Sequence, residues 1–368
     1  MRNAALLFVV LTAAAAQTRT LQPWTPGTLD IHQISTGRGN AALLVLPDGQ
    51  TLLVDAGGAG DGIAETEPHL AGAPSPGAAV GRYVRRHAAK LDYVLLTHFH
   101  SDHIDGLADV FREIPFAKVF DRGWPAYDYP APQPGALAAY RAFLDSSGVA
   151  VERFRPGTVQ IVSKVRDFEI RNIIANGEMW TGQAERTRAL FPQGENPGEN
   201  ACSAAILVRY GAFRYFTGGD LPGTPDPGFP AWTAPESAIA SVVGPVDVQV
   251  VSQHGSMGEA ADAWLAATQS RVFVIPSWSP SHPAPDTLKR IMNSRYPPAK
   301  RYVFPTDLRP SAKTVIGQRA SQLAGPPGHI VIRVEPGGSR YSVYVLDNSD
   351  AQDRILTVSG HFTSGQHK

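Results

Sequence analysis

A single cysteine, Cys202, stands in a chain of 368 residues. It has no partner for an intramolecular disulfide, and a zinc site built from cysteine clusters is excluded. Net charge is also missing, because 33 Lys and Arg face 33 Asp and Glu. A neutral chain lacks the positive excess of a general nucleic-acid coat. Charged residues are scarce at 18%, against a usual figure of about 25%. No apolar run reaches the roughly 20 residues that span a bilayer core. Neither a repeat nor a heptad pattern is present, so solenoids and coiled coils are excluded. Glycine (35) and proline (31) are abundant, a composition of many turns and long loops that stays below the roughly 25–30% typical of disorder. With 43% hydrophobic residues the chain can build a core, and its length suits one large or two modest domains.

The amino terminus reads as an export signal. Arg2 precedes an apolar run at 4–16, and Ala14 and Ala16 form a small-x-small cleavage pattern. Cleavage near Ala16–Gln17 leaves a secreted or periplasmic protein with no membrane span; the alternative is an uncleaved anchor.

Hydrophobic patterning then places strands at 28–35, 41–47 and 51–57, a helix at 78–90 and a buried strand at 92–98. A helix is expected at 103–113 and another at 136–147, with strands at 158–163 and 167–175. A strand pair covers 204–210 and 213–219. Strands at 246–252, 271–277 and 301–305 alternate with helices at 235–243, 258–268 and 284–294, and strands at 329–335 and 341–347 close the fold. Two halves that each run β then α/β, with no linker between them, imply two sheets packed face to face with helices outside. One domain over 27–347 is expected, followed by a tail at 348–368.

The segment Thr97-His98-Phe99-His100-Ser101-Asp102-His103-Ile104-Asp105-Gly106 carries the chemistry. Three histidines and a carboxylate fall within six residues, straight after an apolar strand. Imidazole and carboxylate are ligands that zinc, manganese and iron accept. In extended chain His98 and His100 point the same way, so both reach one ion, while Asp102 and His103 turn toward a second.

This H-x-H-x-D-H pattern resembles the signature of the metallo-β-lactamase-fold hydrolases, and other pieces follow in that family's order. LLVDAGG at 52–58 is similar to the early strand with its acid, here Asp55. GAFRYFTGGDL at 211–221 resembles the Gly-Asp strand, with Asp220, and VDVQVVSQHGS at 246–256 resembles the late motif, with His254. Glu199-Asn200-Ala201-Cys202-Ser203, Gln253-His254-Gly255-Ser256 and Ser281-His282-Pro283 resemble the N-x-x-S, H-H-G-S and G-H-P motifs of the ComEC/Rec2 competence-protein hydrolase domain. The likeness covers about residues 27–305.

The resemblance implies an α/β fold, a four-layer αββα sandwich. It implies two divalent ions, zinc with manganese as the alternative. His98, His100 and Asp220 would hold the first; Asp102, His103, Asp220 and His254 the second. The wider family supplies one more histidine between the first motif and the bridging aspartate, yet residues 104–253 contain none. A hydroxide shared by the ions would be the nucleophile, with Asp102, Asp220 and His282 at the reaction. Asp55, Asn200, Ser203 and Ser256 would orient ligands or contact substrate. The competence-type likeness points to phosphodiester cleavage, nucleic acid included, although neutral net charge does not support a polyanion. Hydrolysis of a lactone, ester or β-lactam, or a metal-binding module without turnover, are the alternatives. Basic and hydroxyl groups on the pocket wall would favour phosphate; an apolar pocket would favour a small ester.

Overall fold

A computed structural model describes residues 19–59, 66, 72–127 and 134–367. The expected signal segment lies outside them.

Strands Ala42–Val45 and Thr51–Val54 are buried on both faces, and this explains their near-continuous apolar sequences. Leu44, Leu52 and Val54 point one way into the space between two sheets. Leu43, Val45 and Leu53 point the other way, onto Val80, Val84 and Val110 of outer helices. The strand period of two thus serves two cores at once.

The first sheet has nine strands. Its antiparallel half runs Ile355–Thr363, Arg340–Leu346, His329–Val334, Leu29–Gln33, Ala42–Val45, Thr51–Val54. Its parallel half continues through Leu91–Leu95, Phe116–Asp121 and Ala150–Arg153. The second sheet, of eight strands, repeats that plan. Tyr302–Pro305, Val272–Ile275, Val248–Val250 and Phe213–Thr217 are parallel; Ala205–Tyr210, Phe168–Ala175, Glu178–Trp180 and Thr187–Ala189 follow antiparallel. Ile206, Val208, Tyr215 and Val248 meet the first sheet across the shared core. Ile239, Trp264, Leu288 and Ile291 cover the second sheet's outer face from helices Pro235–Val243, Asp262–Thr268 and Pro285–Met292. The layers are helix, sheet, sheet, helix, the expected αββα sandwich.

Three local differences have physical causes. The helix expected at 103–113 splits into Ser101–Ile104 and Leu107–Glu113. Between them Gly106 passes so close to the Ala56 carbonyl that a Cβ would lie 2.1 Å from it. Residues 158–163 form no strand; Gln160 instead hydrogen-bonds Glu152 and the Arg153 carbonyl, tying an irregular segment to the sheet edge. The expected tail at 348–368 contains the longest strand, Ile355–Thr363, paired along Arg340–Leu346. Its alternation of half-buried and exposed positions is too weak a signal beside polar neighbours, and Phe362 anchors it against Tyr302 and Tyr341.

Phe362→Ala is expected to destabilise the fold by about 3 kcal/mol, the usual range for emptying a buried phenylalanine site. A urea midpoint shift at unchanged slope would show it. An unchanged midpoint would mean the last strand adds nothing.

Candidate metal centre

The parallel strands place Asp55 and the candidate metal ligands after their carboxyl ends, where open α/β sheets bind ligands. Asp55 follows Thr51–Val54, His98 to His103 follow Leu91–Leu95, Asp220 follows Phe213–Thr217, and His254 follows Val248–Val250. The first sheet and the second sheet each contribute donors.

Two groups of donor atoms result. His98, His100 and Asp220 form one, and Asp102, His103 and His254 the other; within each group the donor atoms lie within 4.8 Å of one another. His98 Nε2 faces His100 Nδ1 at 3.1 Å and Asp220 Oδ2 at 3.9 Å. His254 Nε2 lies 3.0 Å from Asp102 Oδ2 and 3.5 Å from Asp220 Oδ2. His103 Nε2 lies 3.3 Å from Asp220 Oδ1 and 3.7 Å from Asp102 Oδ2. The Asp220 carboxylate therefore touches both groups, one oxygen toward His103 and the other toward His98 and His254.

In His98, His103 and His254 the opposite ring nitrogen is engaged. His254 Nδ1 donates to the Pro276 carbonyl at 3.0 Å, and His103 Nδ1 to Asp55 Oδ2 at 2.7 Å. Thr97 Oγ1 donates to Asp55 and so accepts from His98 Nδ1 at 3.1 Å. Each of these three rings turns its Nε2 inward. Nε2 of His103 and of His254 are buried and lack a partner of hydrogen-bond geometry. Orphaned nitrogens converging with carboxylates are a donor set for divalent ions, and the residues fit two of them.

The electrostatics agree. Burial opposes charge on His254, but Asp220 and Asp102 outweigh it and push its pKa up to about 9. His103 moves up in the same way, burial being outweighed by Asp220, Asp102 and Asp55. Burial likewise disfavours ionised Asp220, yet His103 and His254 hold its carboxyl well below the usual range. His98 goes down, through burial and then the neighbouring His103. Protons on His103 and His254 thus neutralise the two carboxylates where cations are expected.

Close backbone packing builds the floor. A Cβ on Gly58 would sit 2.5 Å from the Asp102 Cα, and one on Gly39, at φ +80°, would overlap the Asp102 carbonyl. Only glycine allows either approach.

The other expected residues divide. Asn200 lines a cavity of about 500 Å³ that opens beside His100; its buried Oδ1 has no hydrogen-bond partner. Ser203 is fully buried and accepts the Asp220 N–H at 3.2 Å, so it positions that ligand and does not face substrate. Ser256 Oγ meets His282 Nε2 at 3.1 Å. The His282 ring stacks on His254, with centroids 5.3 Å apart, and is absent from the cavity wall. Burial and then the His254 charge push its pKa down to about 3, and its contacts here are with His254 and Ser256. Cys202 is buried, which pushes its thiol up to about 12.

Sequence reading missed the braces. Glu199 accepts the Phe99 N–H at 2.8 Å, between the two histidines, and is paired with the buried Arg122. Gln253 donates to the Asp220 carbonyl at 3.2 Å, and Asn40 to Asp55 at 2.8 Å. No local spacing announces these partners, although Glu199 adjoins the Asn200 motif.

Residues 35–174 match the profile of the family described as the Metallo-beta-lactamase superfamily. In addition, 67 residues are 37% identical to "Thioesterase pkgB" of Emericella nidulans, a match spanning 18% of this chain and 17% of that protein. Among solved structures, the diiron beta-hydroxylase CmlA of Streptomyces venezuelae is 15% identical at a TM-score of 0.41, over 77% of this chain and 54% of that one. The metallo hydrolase Igni18 of Ignicoccus hospitalis is 14% identical at 0.39, over 73% and 91%.

Asp55 hydrogen-bonds His103 and Thr97 and belongs to neither group of donor atoms. Asp55→Asn is expected to weaken metal binding about 10–100-fold while leaving the donor atoms in place, measured by competition with a chelator. Unchanged affinity would remove Asp55 from the centre. Because ions must displace protons from His103 and His254, zinc affinity should rise with pH toward about 9. Calorimetry in buffers of different ionisation enthalpy should show proton release at pH 7.5 that shrinks above pH 9; release that does not vary with pH contradicts the assignment.

Proposed function

We propose that the protein is a dinuclear metal-dependent hydrolase acting on an uncharged carbonyl substrate such as an ester, thioester or lactone. The observation that carries this reading is the meeting of two donor groups at one carboxylate, Asp220, beside an open cavity. His98, His100 and Asp220 would hold one divalent ion; Asp102, His103, His254 and Asp220 the other. When bound, zinc or manganese ions would supply Lewis-acid polarisation of the electrophile and lower the pKa of a water. Three protein donors at the first position leave room for substrate and solvent, and His100 of that group lies on the cavity wall.

The chain's own groups then do the positioning. Asp102 and Asp220, held ionised, are acceptors for the protons of the attacking water. Asp55 and the Pro276 carbonyl fix the ring orientations of His103 and His254. The Asn200 amide offers a hydrogen bond to substrate on the wall.

The choice of substrate class rests on that wall. Among the described residues it contains no Lys and no Arg, and its acids are Glu199, Asp226 and Glu259. A phosphodiester, above all a polyanion, needs a positive groove. The motifs around Asn200, His254 and His282 that resemble the ComEC/Rec2 hydrolase domain support phosphodiester cleavage, and here the wall outweighs them. Export is part of the same proposal and is supported by the apolar run at 4–16 and its alanine cleavage pattern.

The metal-loaded protein should hydrolyse p-nitrophenyl acetate or a lactone in preference to bis-p-nitrophenyl phosphate and DNA. The His100→Ala, Asp102→Ala double variant should lose about a thousandfold or more, equivalent to several kcal/mol of transition-state stabilisation. Equal rates in parent and variant would overturn the enzyme, leaving a metal-binding module. Preferential cleavage of the phosphodiesters would overturn the carbonyl reading.

A further inference from the structure

Large apolar side chains left in water are scarce in this fold, and two of them share one cavity. Met257 is 79% exposed and Phe229 64% exposed, and both line the space that His100 borders. They arrive on different loops, each starting at a metal-ligand candidate. The chain leaves Asp220 through Pro222 to reach Phe229, and leaves His254 to reach Met257 three residues on. Scattered exposed apolar residues need no explanation, but apolar residues gathered at a concave site mark ligand binding.

The charges on the same wall narrow the ligand. Asp226 is exposed there. Glu199 is matched by the buried Arg122. Glu259 is buried, and burial together with Glu236 raises its pKa well above the carboxylate range. Among the described residues of the wall the one acid fully open to solvent is therefore Asp226, with no Lys or Arg beside it to offset it. Such a wall repels an anionic tail and offers apolar contact to a neutral one.

We infer that Phe229 and Met257 are the specificity-determining residues of this cavity and that they grip the apolar chain of an uncharged ester, while Asp226 turns away esters carrying an anionic group. The inference rests on the hydrolase reading above and adds the substrate's shape and charge. The wall residues named take no part in the bond change: water adds to the carbonyl carbon, the carbon–oxygen bond to the alcohol breaks, and the alcohol leaves with a proton from that water.

The test uses the full-length, metal-loaded protein and p-nitrophenyl esters from acetate to octanoate, with the p-nitrophenyl monoester of glutarate as the anionic probe. The parent's kcat/KM should rise up to about fourfold per added methylene until the apolar surface is covered. Phe229→Ser combined with Met257→Ser should flatten this rise to below about twofold per methylene. The anionic ester should be at least tenfold slower than the neutral ester of equal length, and Asp226→Lys should narrow that gap. Both apolar side chains lie outside the core, and two metal equivalents per chain confirm that the variants are intact. Hydrolysis indifferent to chain length in the parent, or a preference for the anionic ester, overturns this inference and leaves the hydrolase standing. Failure of the metal-loaded parent to hydrolyse any ester in the series overturns both.

Discussion

The buried carboxylate of Asp55 holds the centre together. It receives Nδ1–H of His103, the backbone N–H and hydroxyl of Thr97, and the side-chain amide of Asn40. Through Thr97 it also fixes the ring of His98. One acid at the end of a central strand thereby sets the orientation of a ligand from each donor group. The geometry has a cost, since Asp55 sits at φ +59°, in the left-handed region that a non-glycine residue enters only when its surroundings demand it. Four hydrogen bonds in a fully buried site are what supply that demand.

A similar device presents His254. Gln253 and His254 are both left-handed, at φ +46° and +57°. This sharp reversal follows strand Val248–Val250 and brings the imidazole back over the sheet end. The reversal is held by Gln253 on the Asp220 carbonyl, Ser252 on Glu236, and the Pro276 carbonyl on His254 itself. The same few residues that are strained therefore also connect the candidate ligand His254 to Asp220. Strain at such positions is stored where function requires it.

Much of this was legible in the sequence because the decisive donors are close together. His98, His100, Asp102 and His103 lie in one turn, so their convergence follows from local chain geometry. Asp220 and His254 were found by their place after apolar strands, in an order that matches a known family. Double-faced burial left near-continuous apolar runs, and the two-sheet architecture followed from them. What stayed hidden depends on distant contacts. Ser203 and Asn200 share a short motif, yet one points to a backbone amide and the other to a cavity, a distinction that residue type does not carry. His282 was expected at the reaction, and its stacking on His254 is a contact that its place before Pro283 does not announce. Phe229 and Met257 sit in loops whose composition announces turns and nothing more. The last strand, with its polar and half-exposed pattern, resembles a tail until its partner strand is known.

The candidate ligands come from two sheets that share a largely apolar interior. His98 to His103 ride on one layer, and Asp220 and His254 on the other. Any slide of one layer across the other therefore alters the spacing between the two donor clusters. The volume of a core residue such as Leu95 or Val248, remote from solvent, becomes a means of adjusting that gap. Evolution at this seam could tune reactivity by repacking hydrocarbon, with every coordinating atom left untouched.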